Sequence, residues 1–525
     1  MYRRWTIPAI LVPVVCFSGG WLLQREVGAG SDVYQQARLF ESVLAHVRDY
    51  HVDSLPESEL YQRATLGMLK ELRDPYAALL TGKDFDRSQE RTTGDYAGVG
   101  LQVDARNGWI TVVTPMLGTP AERAGIRSGD LMIEIQGEMA AEWTMERAVR
   151  ALRGEAGTPI DISIRREGVD KPLHFRLLRE RIHQSAVAPG VLLDGGVGYI
   201  GMTMVRENCA AELSNEVEHM VGRGMKSLVL DLRSNPGGLR DEAVQASDLF
   251  LDPGQDILVS RGRAPGDNHR WIDGGGQRWR WLPVVVLVNR GTASAAEIIA
   301  GALQDHDRAL VVGDTTYGKG IVQTLFPLGP GTALRITTAR WYTPSGRSIQ
   351  GAELDSVMGE EHVKISEATF RSDAGRALSG GGGIIPDVLL RPDTLSTSEQ
   401  NFARSLAGQV PVFRDVLTSY ALELRRSSRL RDPDFDVTRE MREEVRQRLA
   451  AKGVSLPDST FDGGERILGE QLGYEIARYQ FGQEGEERRR VREDMQVKEA
   501  ISLLRTAATP EALLGMGVPG RSEIH

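Results

Sequence analysis

Two residues near the middle of the chain have the type and setting for nucleophilic chemistry. Ser294 follows an apolar β-type run, Pro283 to Val288, and a turn at Asn289-Arg290-Gly291, and it precedes Ala295-Ala296-Glu297-Ile298-Ile299-Ala300, which reads as a helix. A serine at such a strand-to-helix turn faces unpaired N–H groups and the positive end of the helix dipole, both of which favour a developing oxyanion. Lys319 sits between Gly318 and Gly320, in a loop reached from a second apolar run, Ala309 to Val312. A lysine can act as the base for a serine when burial lowers its pKa enough to leave the neutral amine. A third stretch, Ser227 to Leu232, runs straight into Arg233-Ser234-Asn235-Pro236-Gly237-Gly238. Glycines immediately beyond a buried strand let the backbone approach a ligand and present N–H groups, so this turn reads as half of an oxyanion hole.

Other chemistries fit less well. Gly313 to Gly320 is one residue from a phosphate-binding GxxxxGK[ST] loop. Gly320 stands where the magnesium-binding hydroxyl belongs, and Ile321 to Pro327 favours a strand where that motif needs a helix. None of the nine histidines lies in a recognisable serine-hydrolase setting, since GTASAA is not a G-x-S-x-G elbow and SNPGG lacks the serine of GNSGG. His306 is the nearest histidine and reads as a loop residue. No metal-ligand cluster is visible, so neither metal nor cofactor is expected.

The rest of the chain must position these groups. At 525 residues it is long enough for two or three compact units, and 41% hydrophobic with 26% charged residues describes an ordinary globular protein. A net charge of −9 argues against a nucleic-acid partner. After Arg3 and Arg4, the 19 residues Trp5 to Leu23 carry no charge, which is long enough to span a bilayer with the N-terminus inside. This segment reads as a retained anchor in preference to a removed signal peptide, since Gly28-Ala29-Gly30 is a poor cleavage site. The only cysteines, Cys16 and Cys209, leave no disulfide between exported parts, and Cys209 reads as a core residue.

Residues 31–93 read as a helical region ended in part by Asp74-Pro75. From 94 to 182 short β-type runs alternate with Gly and Pro around one amphipathic helix, Met145 to Leu152. This stretch resembles a PDZ domain through Gly98-Val99-Gly100-Leu101, Thr119-Pro120-Ala121-Glu122-Arg123-Ala124-Gly125-Ile126 and Gly129-Asp130. PDZ-like modules take C-terminal peptides by strand addition, with loop N–H groups receiving the carboxylate, so Gly98, Val99, Gly100 and Leu101 are the expected peptide-binding residues. Between 183 and 395, Val197 to Met202, a helix over Ala210 to Val221, and Ser227 to Leu232 form a βαβ signature. Arg261 to Arg280 reads as an exposed loop. Beyond 396 the chain reads as a charged helical region, with Arg425 to Arg431 and Glu484 to Arg492 as solvated faces, whose business is packing or oligomerisation.

Taken together, the motifs resemble the carboxyl-terminal processing proteases, PDZ-containing serine peptidases of the tail-specific type. The likeness spans about residues 35 to 395 and rests on Asp74-Pro75, the PDZ module, DLRSNPGG (231–238), GTASAAEI (291–298), ALQDHDRALVVG (302–313), YGKGIVQ (317–323) and WYTPSGRSIQG (341–351). It departs from the family pattern at Arg73, often Leu, and at Ala296, often Ser. The resemblance implies Ser294 as nucleophile, Lys319 as general base and Gln323 as the residue orienting it. It implies an oxyanion hole from Gly237 or Gly238 with the N–H of Ala295. The implied fold is α/β with several domains: a ClpP/crotonase-like ββα peptidase core at 183–395, an inserted PDZ domain at 94–182, an N-terminal helical region and a C-terminal helical tail at 396–525. Two other classes are an inactive PDZ adaptor, against which the intact Ser294, Lys319 and Gln323 argue, and an acyl-CoA enzyme, which rests on fold analogy alone. The expected partners are substrates with free C-termini, an adaptor protein, further copies of the chain, and the membrane through residues 1–30. The expected place is the extracytoplasmic side of a bacterial envelope.

Overall fold

A computed structural model describes residues 33–106, 108–166, 168–351, 370–390, 394–427, 430–507 and 509–516. The anchor expected over 1–30 lies outside them. Among the described residues no helix is long and apolar enough to cross a membrane. The chain forms two compact units, one through Leu79 and one from Leu80 onward.

The first unit holds two helices, α1 over 33–50 and α2 over Glu57–Glu71. Asp74-Pro75 then makes a turn in which the Asp74 side chain accepts from Tyr76 N–H at 2.9 Å. Apolar side chains of α1, among them Tyr34, Leu39, Phe40 and Val43, are exposed.

The second unit begins with α3 (Lys83–Thr93) and then builds the β module. Two short strands, β1 (Asp95–Gly98) and a later β7 (Glu180–His183), pair antiparallel where the chain enters and leaves it. Between them β2 (Leu101–Arg106), β3 (Trp109–Pro115), β4 (Leu131–Ile135), β5 (Pro159–Arg165) and β6 (Leu173–Leu178) form a sheet in the order β2-β3-β4-β5-β6. The helices α4 (Pro120–Arg123) and α5 (Met145–Leu152) belong to the same module. Its core is the inward face of the strands, Val103, Ile110, Val112, Met132, Ile162 and Ile164, closed by Ala148 and Leu152 of α5.

The main, mostly parallel sheet comprises β8 (Val191–Leu193), β9 (Val197–Gly201), β10 (Ser227–Asp231), β13 (Val284–Val288), β14 (Leu310–Gly313) and β17 (Val388–Leu389), in that spatial order. All neighbours from β9 onward are parallel, so each pair needs a crossover connection. The helices α6 (Cys209–Gly222), α7 (Arg240–Asp248) and α8 (Ala295–Asp305) supply the first three, and the chain from β14 to β17 passes through the hairpin over 321–342. Central strands such as VVVLV (284–288) are buried at every residue, as strands covered on both faces must be. One face packs on α6 to α8 through Leu228, Leu230, Val284, Val286, Leu213 and Ile299. A smaller antiparallel sheet joins β15 (Ile321–Gly329) to β16 (Thr332–Tyr342), β16 to β11 (Asp256–Gly262), and β11 to β12 (His269–Ile272). The stretch Arg261 to Arg280 is therefore not simply an exposed loop: it supplies a strand, and Trp279 is buried against Phe250.

The C-terminal region contains α9 (Thr397–Leu406), α10 (Val410–Ser427), α11 (Arg439–Ala451), α12 (Asp458–Gly463), α13 (Glu465–Glu493), α14 (Met495–Thr506) and α15 (Pro510–Leu514). Its first helices share an apolar core around Phe402, Phe413, Leu468, Leu472 and Ile476. The end of α13 and all of α14 do something else: Val491, Val497, Ala500 and Leu504 cover the second face of the main sheet, against Val229, Val285, Leu287 and Val312. The charged run 484–492 is accordingly no solvated face. Arg489 is buried and donates to the Phe435 carbonyl, and Arg478 holds Glu486 bidentately at 2.6 and 2.7 Å. A kink at Gly482, with φ +75°, separates the two jobs of α13.

Candidate active site

Ser294 lies where β13 gives way to α8, at φ +55° and ψ −118°, a conformation that L-residues with a side chain seldom adopt. Its neighbours hold it there. Ala293 N–H donates to the Asn235 carbonyl at 2.9 Å, Thr292 Oγ1 donates to the Leu232 carbonyl at 2.8 Å, and Ser294 N–H donates to Glu297 Oε2 at 2.6 Å. A Cβ on Gly237 would stand 2.5 Å from the Ala293 carbonyl and 2.7 Å from the Ala295 nitrogen, so only glycine lets the second turn come this close.

Glu297 is the organising side chain of the site, and it is fully buried. Oε2 takes both Ser294 N–H and, at 2.9 Å, Lys319 N–H. Oε1 takes Gly318 N–H at 2.7 Å and the Thr316 hydroxyl at 2.5 Å. Burial pushes the carboxyl pKa up, while these four donors pull against the shift by favouring the anion. One carboxylate thus ties the serine turn to the lysine loop.

Lys319 is held at both ends of its backbone. Besides the Glu297 contact, its carbonyl accepts from Trp341 Nε1 at 3.1 Å. The flanking glycines are steric necessities: a Cβ on Gly318 would meet the Ile349 carbonyl at 2.9 Å, and one on Gly320 would meet Gln350 N at 3.0 Å. Gly320 N–H in turn donates to Gln350 Oε1 at 2.8 Å, which gives the motif at 341–351 a purpose: it cradles the lysine loop. Out of that loop Lys319 Nζ donates to Gln323 Oε1 at 2.7 Å. Gln323 stands at a register shift in the β15–β16 ladder.

The turn after β10 faces Ser294. Ser234 also has positive φ, +57°, and its N–H donates to Asn289 Oδ1 at 2.8 Å. Asn235, wholly buried, donates from Nδ2 to the Met202 carbonyl and accepts from Gly237 N–H, each at 2.9 Å. Gly237 N–H is therefore already committed, which narrows the pair Gly237 and Gly238 to the latter. Among the described residues neither Gly238 N–H nor Ala295 N–H donates elsewhere. A hydroxyl, N–H donors not used elsewhere and an amine are the kinds of group an acyl-transfer site needs.

His306 is at the opposite end of α8, where it bonds Asp373 and the Asp256 carbonyl at 2.8 and 2.6 Å. Eleven helical residues separate it from Ser294, about 18 Å along the axis. Cys209 is buried, and burial together with Glu242 and Glu212 pushes its thiol up to about 12, which makes it inert.

In the β module, the carbonyls of Val99 and Gly100 accept from Ala121 and Met116 N–H at 3.0 and 2.9 Å. Since trans peptides point successive C=O and N–H groups in opposite directions, the N–H groups of Gly100 and Leu101 face away from those partners. Strand β2 is an edge of its sheet, paired on one side only with β3.

Residues 196–358 match Peptidase family S41, and residues 111–166 match a PDZ domain. Over 324 residues the chain is 40% identical to a carboxy-terminal-processing protease of Bartonella bacilliformis, covering 61% of this chain and 74% of the relative. The chain belongs to peptidase family S41, among its carboxy-terminal-processing proteases. Within that family it is a serine-type peptidase with a PDZ domain. A "Probable CtpA-like serine protease" of Staphylococcus aureus is 31% identical over 66% of this chain and 71% of its own length. Among solved structures, the photosystem II D1 C-terminal processing protease aligns at 27% identity over 68% of this chain and 88% of that chain, with a TM-score of 0.36.

Glu297 was the functional residue that sequence reading passed over. Its signal is the Ser-x-x-Glu spacing at a helix start, which reads as a capping box and hides a second use of the same carboxylate.

Proposed function

We propose that this peptidase cleaves exported proteins near their C-termini through a Ser294–Lys319 dyad assisted by Gln323. The neutral Lys319 amine takes the Ser294 hydroxyl proton as Oγ attacks the scissile carbonyl. Gly238 and Ala295 N–H groups receive the oxyanion. Collapse breaks the C–N bond, Lys319 returns the proton to the leaving amine, and the acyl-serine is released when water, deprotonated by Lys319, attacks it. The observation that carries this reading is the single Glu297 oxygen shared by the Ser294 and Lys319 backbone nitrogens.

Substrate tails bind the PDZ domain by adding a strand to β2, with the carboxylate on the N–H groups of the Gly98 to Leu101 loop. Gly100 supports this through its backbone and not as a groove wall: a Cβ there would stand 2.2 Å from Thr119 Cβ, so a bulky substitution disrupts the loop itself. Arg3 and Arg4 ahead of Trp5 to Leu23 support an anchored enzyme with its catalytic part outside the cytoplasmic membrane. The exposed apolar residues of α1 support assembly with further copies, and an adaptor protein is compatible with the same surface.

The deciding experiment compares wild-type protein with Ser294→Ala on one unfolded substrate with a free C-terminus. Cleavage should vanish in the variant. Cleavage at the wild-type rate would reject the dyad.

A further inference from the structure

We infer that Asp494 and Gln496, in the C-terminal helical region, are positioning residues for the oxyanion turn and act through Arg233. The inference rests on the reading of Gly238 and Ala295 as oxyanion donors. On its Ser294 side the turn 232–238 is fastened by Asn235, Asn289 and Thr292. On the other side it is Arg233 that reaches out. Its guanidinium pairs with Asp231 at the end of β10, which Tyr199 Oη of β9 holds at 2.8 Å, so this contact ties the turn only to its own sheet. The partners outside that sheet are distant in sequence: Asp494 Oδ2 lies 2.8 Å from Nη2, and Gln496 Oε1 accepts from Nη1 at 2.8 Å. Burial opposes the charge on Arg233, yet Asp231 and Asp494 outweigh it and hold its pKa above the ordinary arginine value.

The two C-terminal residues are themselves well held. Asp494 is the N-cap of α14, with Oδ1 accepting from Gln496 and Val497 N–H at 2.8 and 3.1 Å, which leaves Oδ2 for Arg233. Gln496 is buried, and its Nε2 donates to the Leu390 carbonyl beyond β17 at 2.8 Å. A helix docked on the back of the sheet therefore grips the residue that begins the oxyanion turn. The gain is alignment: small displacements of a transition-state donor cost rate without weakening substrate binding.

Asp494→Asn separates this role from helix capping. The Asn oxygen still caps α14, but its NH₂ then faces the guanidinium, donor against donor. Gln496→Leu removes the second contact at nearly constant volume. With full-length protein and a free-acid unfolded substrate, each variant should lose roughly 10- to 100-fold in kcat with KM changed less than about twofold. Inhibition by a peptide aldehyde, whose serine adduct places its oxygen on the same donors, should weaken by the same factor, and Asp494→Asn protein should stay fully folded at the assay temperature. Wild-type kcat in both variants, or a loss seen only in KM or in the folded fraction, overturns the inference. A Ser294→Ala protein that still cleaves would instead overturn the dyad, whatever the Asp494 variants do.

Discussion

Two turns in this chain leave a strand and carry glycines whose N–H groups, in the proposed function, meet an anion, and they are fastened differently. The PDZ loop Gly98 to Leu101 is held through its own carbonyls by backbone donors of Met116 and Ala121 and by the Thr119 hydroxyl. The turn Arg233 to Gly238 also has backbone donors, Ala293 and Val205 N–H on the Asn235 and Gly237 carbonyls, and adds side chains to them: Asn235 and Asn289 at its centre, Thr292 at its start, and Arg233 reaching to α14. In the proposed function the first binds a carboxylate that exists before the reaction, so modest play costs only affinity. The second would there meet an oxygen that carries charge only in the transition state, where misalignment costs rate. Side-chain bracing from several directions is what that stricter demand requires.

The comparison breaks most completely at the dyad. Lys319→Arg should abolish proteolysis as fully as Lys319→Ala, because a guanidinium cannot serve as a base near neutral pH. Gln323→Ala should slow turnover less than either. Measurable wild-type turnover in Lys319→Arg protein would remove the lysine from the mechanism. Next comes Glu297→Gln, which sets an NH₂ group against N–H donors in a buried site. Each charge-assisted hydrogen bond lost there is worth about 1.5–3 kcal/mol, so both kcat and melting temperature should fall, kcat by more than roughly a hundredfold. Full activity with an unchanged melting curve would show that the shared carboxylate is incidental.

The two turns themselves give smaller effects that differ in kind. Asn235→Ala strips Gly237 N–H of its acceptor and the Met202 carbonyl of its donor, and should cost on the order of a hundredfold in kcat with little change in KM. Amidating a substrate C-terminus should raise KM by roughly tenfold or somewhat more, the loss of one charge-assisted contact. It should leave kcat alone if the PDZ domain only tethers. Steady-state kinetics on matched acid and amide substrates would settle it, and equal KM values would remove tail recognition from the PDZ loop.

What the sequence revealed follows the range of the interactions involved. The local setting of Ser294, between a buried strand and a helix start, was legible because immediate neighbours fix it. The βαβ order was legible for the same reason. Glu297 was not, because one local role, capping α8, accounted for it completely. The bond from Gly237 N–H to Asn235 was not, because it turns on where the Asn235 side chain points. Nothing in the spacing of residues 263 apart could show that Arg233 meets Gln496. The run 484–492 misled in the same way: its charges are satisfied by partners such as Arg478 and Phe435 that no helical period of α13 announces.

The smallest expected effect lies where the chain enters and leaves the PDZ domain. There β1 and β7 pair, with Asp95 opposite His183. The imidazole contacts Asp95 through Nδ1 at 2.8 Å and Glu212 of α6 through Nε2 at 2.6 Å, and only the protonated ring can donate to both. The bond to Glu212 raises its pKa most, burial opposes, and Asp95 adds to the rise. A raised folded value means that the contact stabilises the fold fully below the ordinary histidine value of 6.5, and that this contribution is lost as pH climbs through the folded value. Because the ring is partly open to water, solvent and salt screen the interaction and the shift in melting temperature should be small. His183→Gln should therefore melt below wild type at pH 6 and draw level with it at higher pH, once wild type has lost the charge. A gap between the two proteins that stays constant from pH 6 to pH 9 would mean that the ring serves this junction by packing alone.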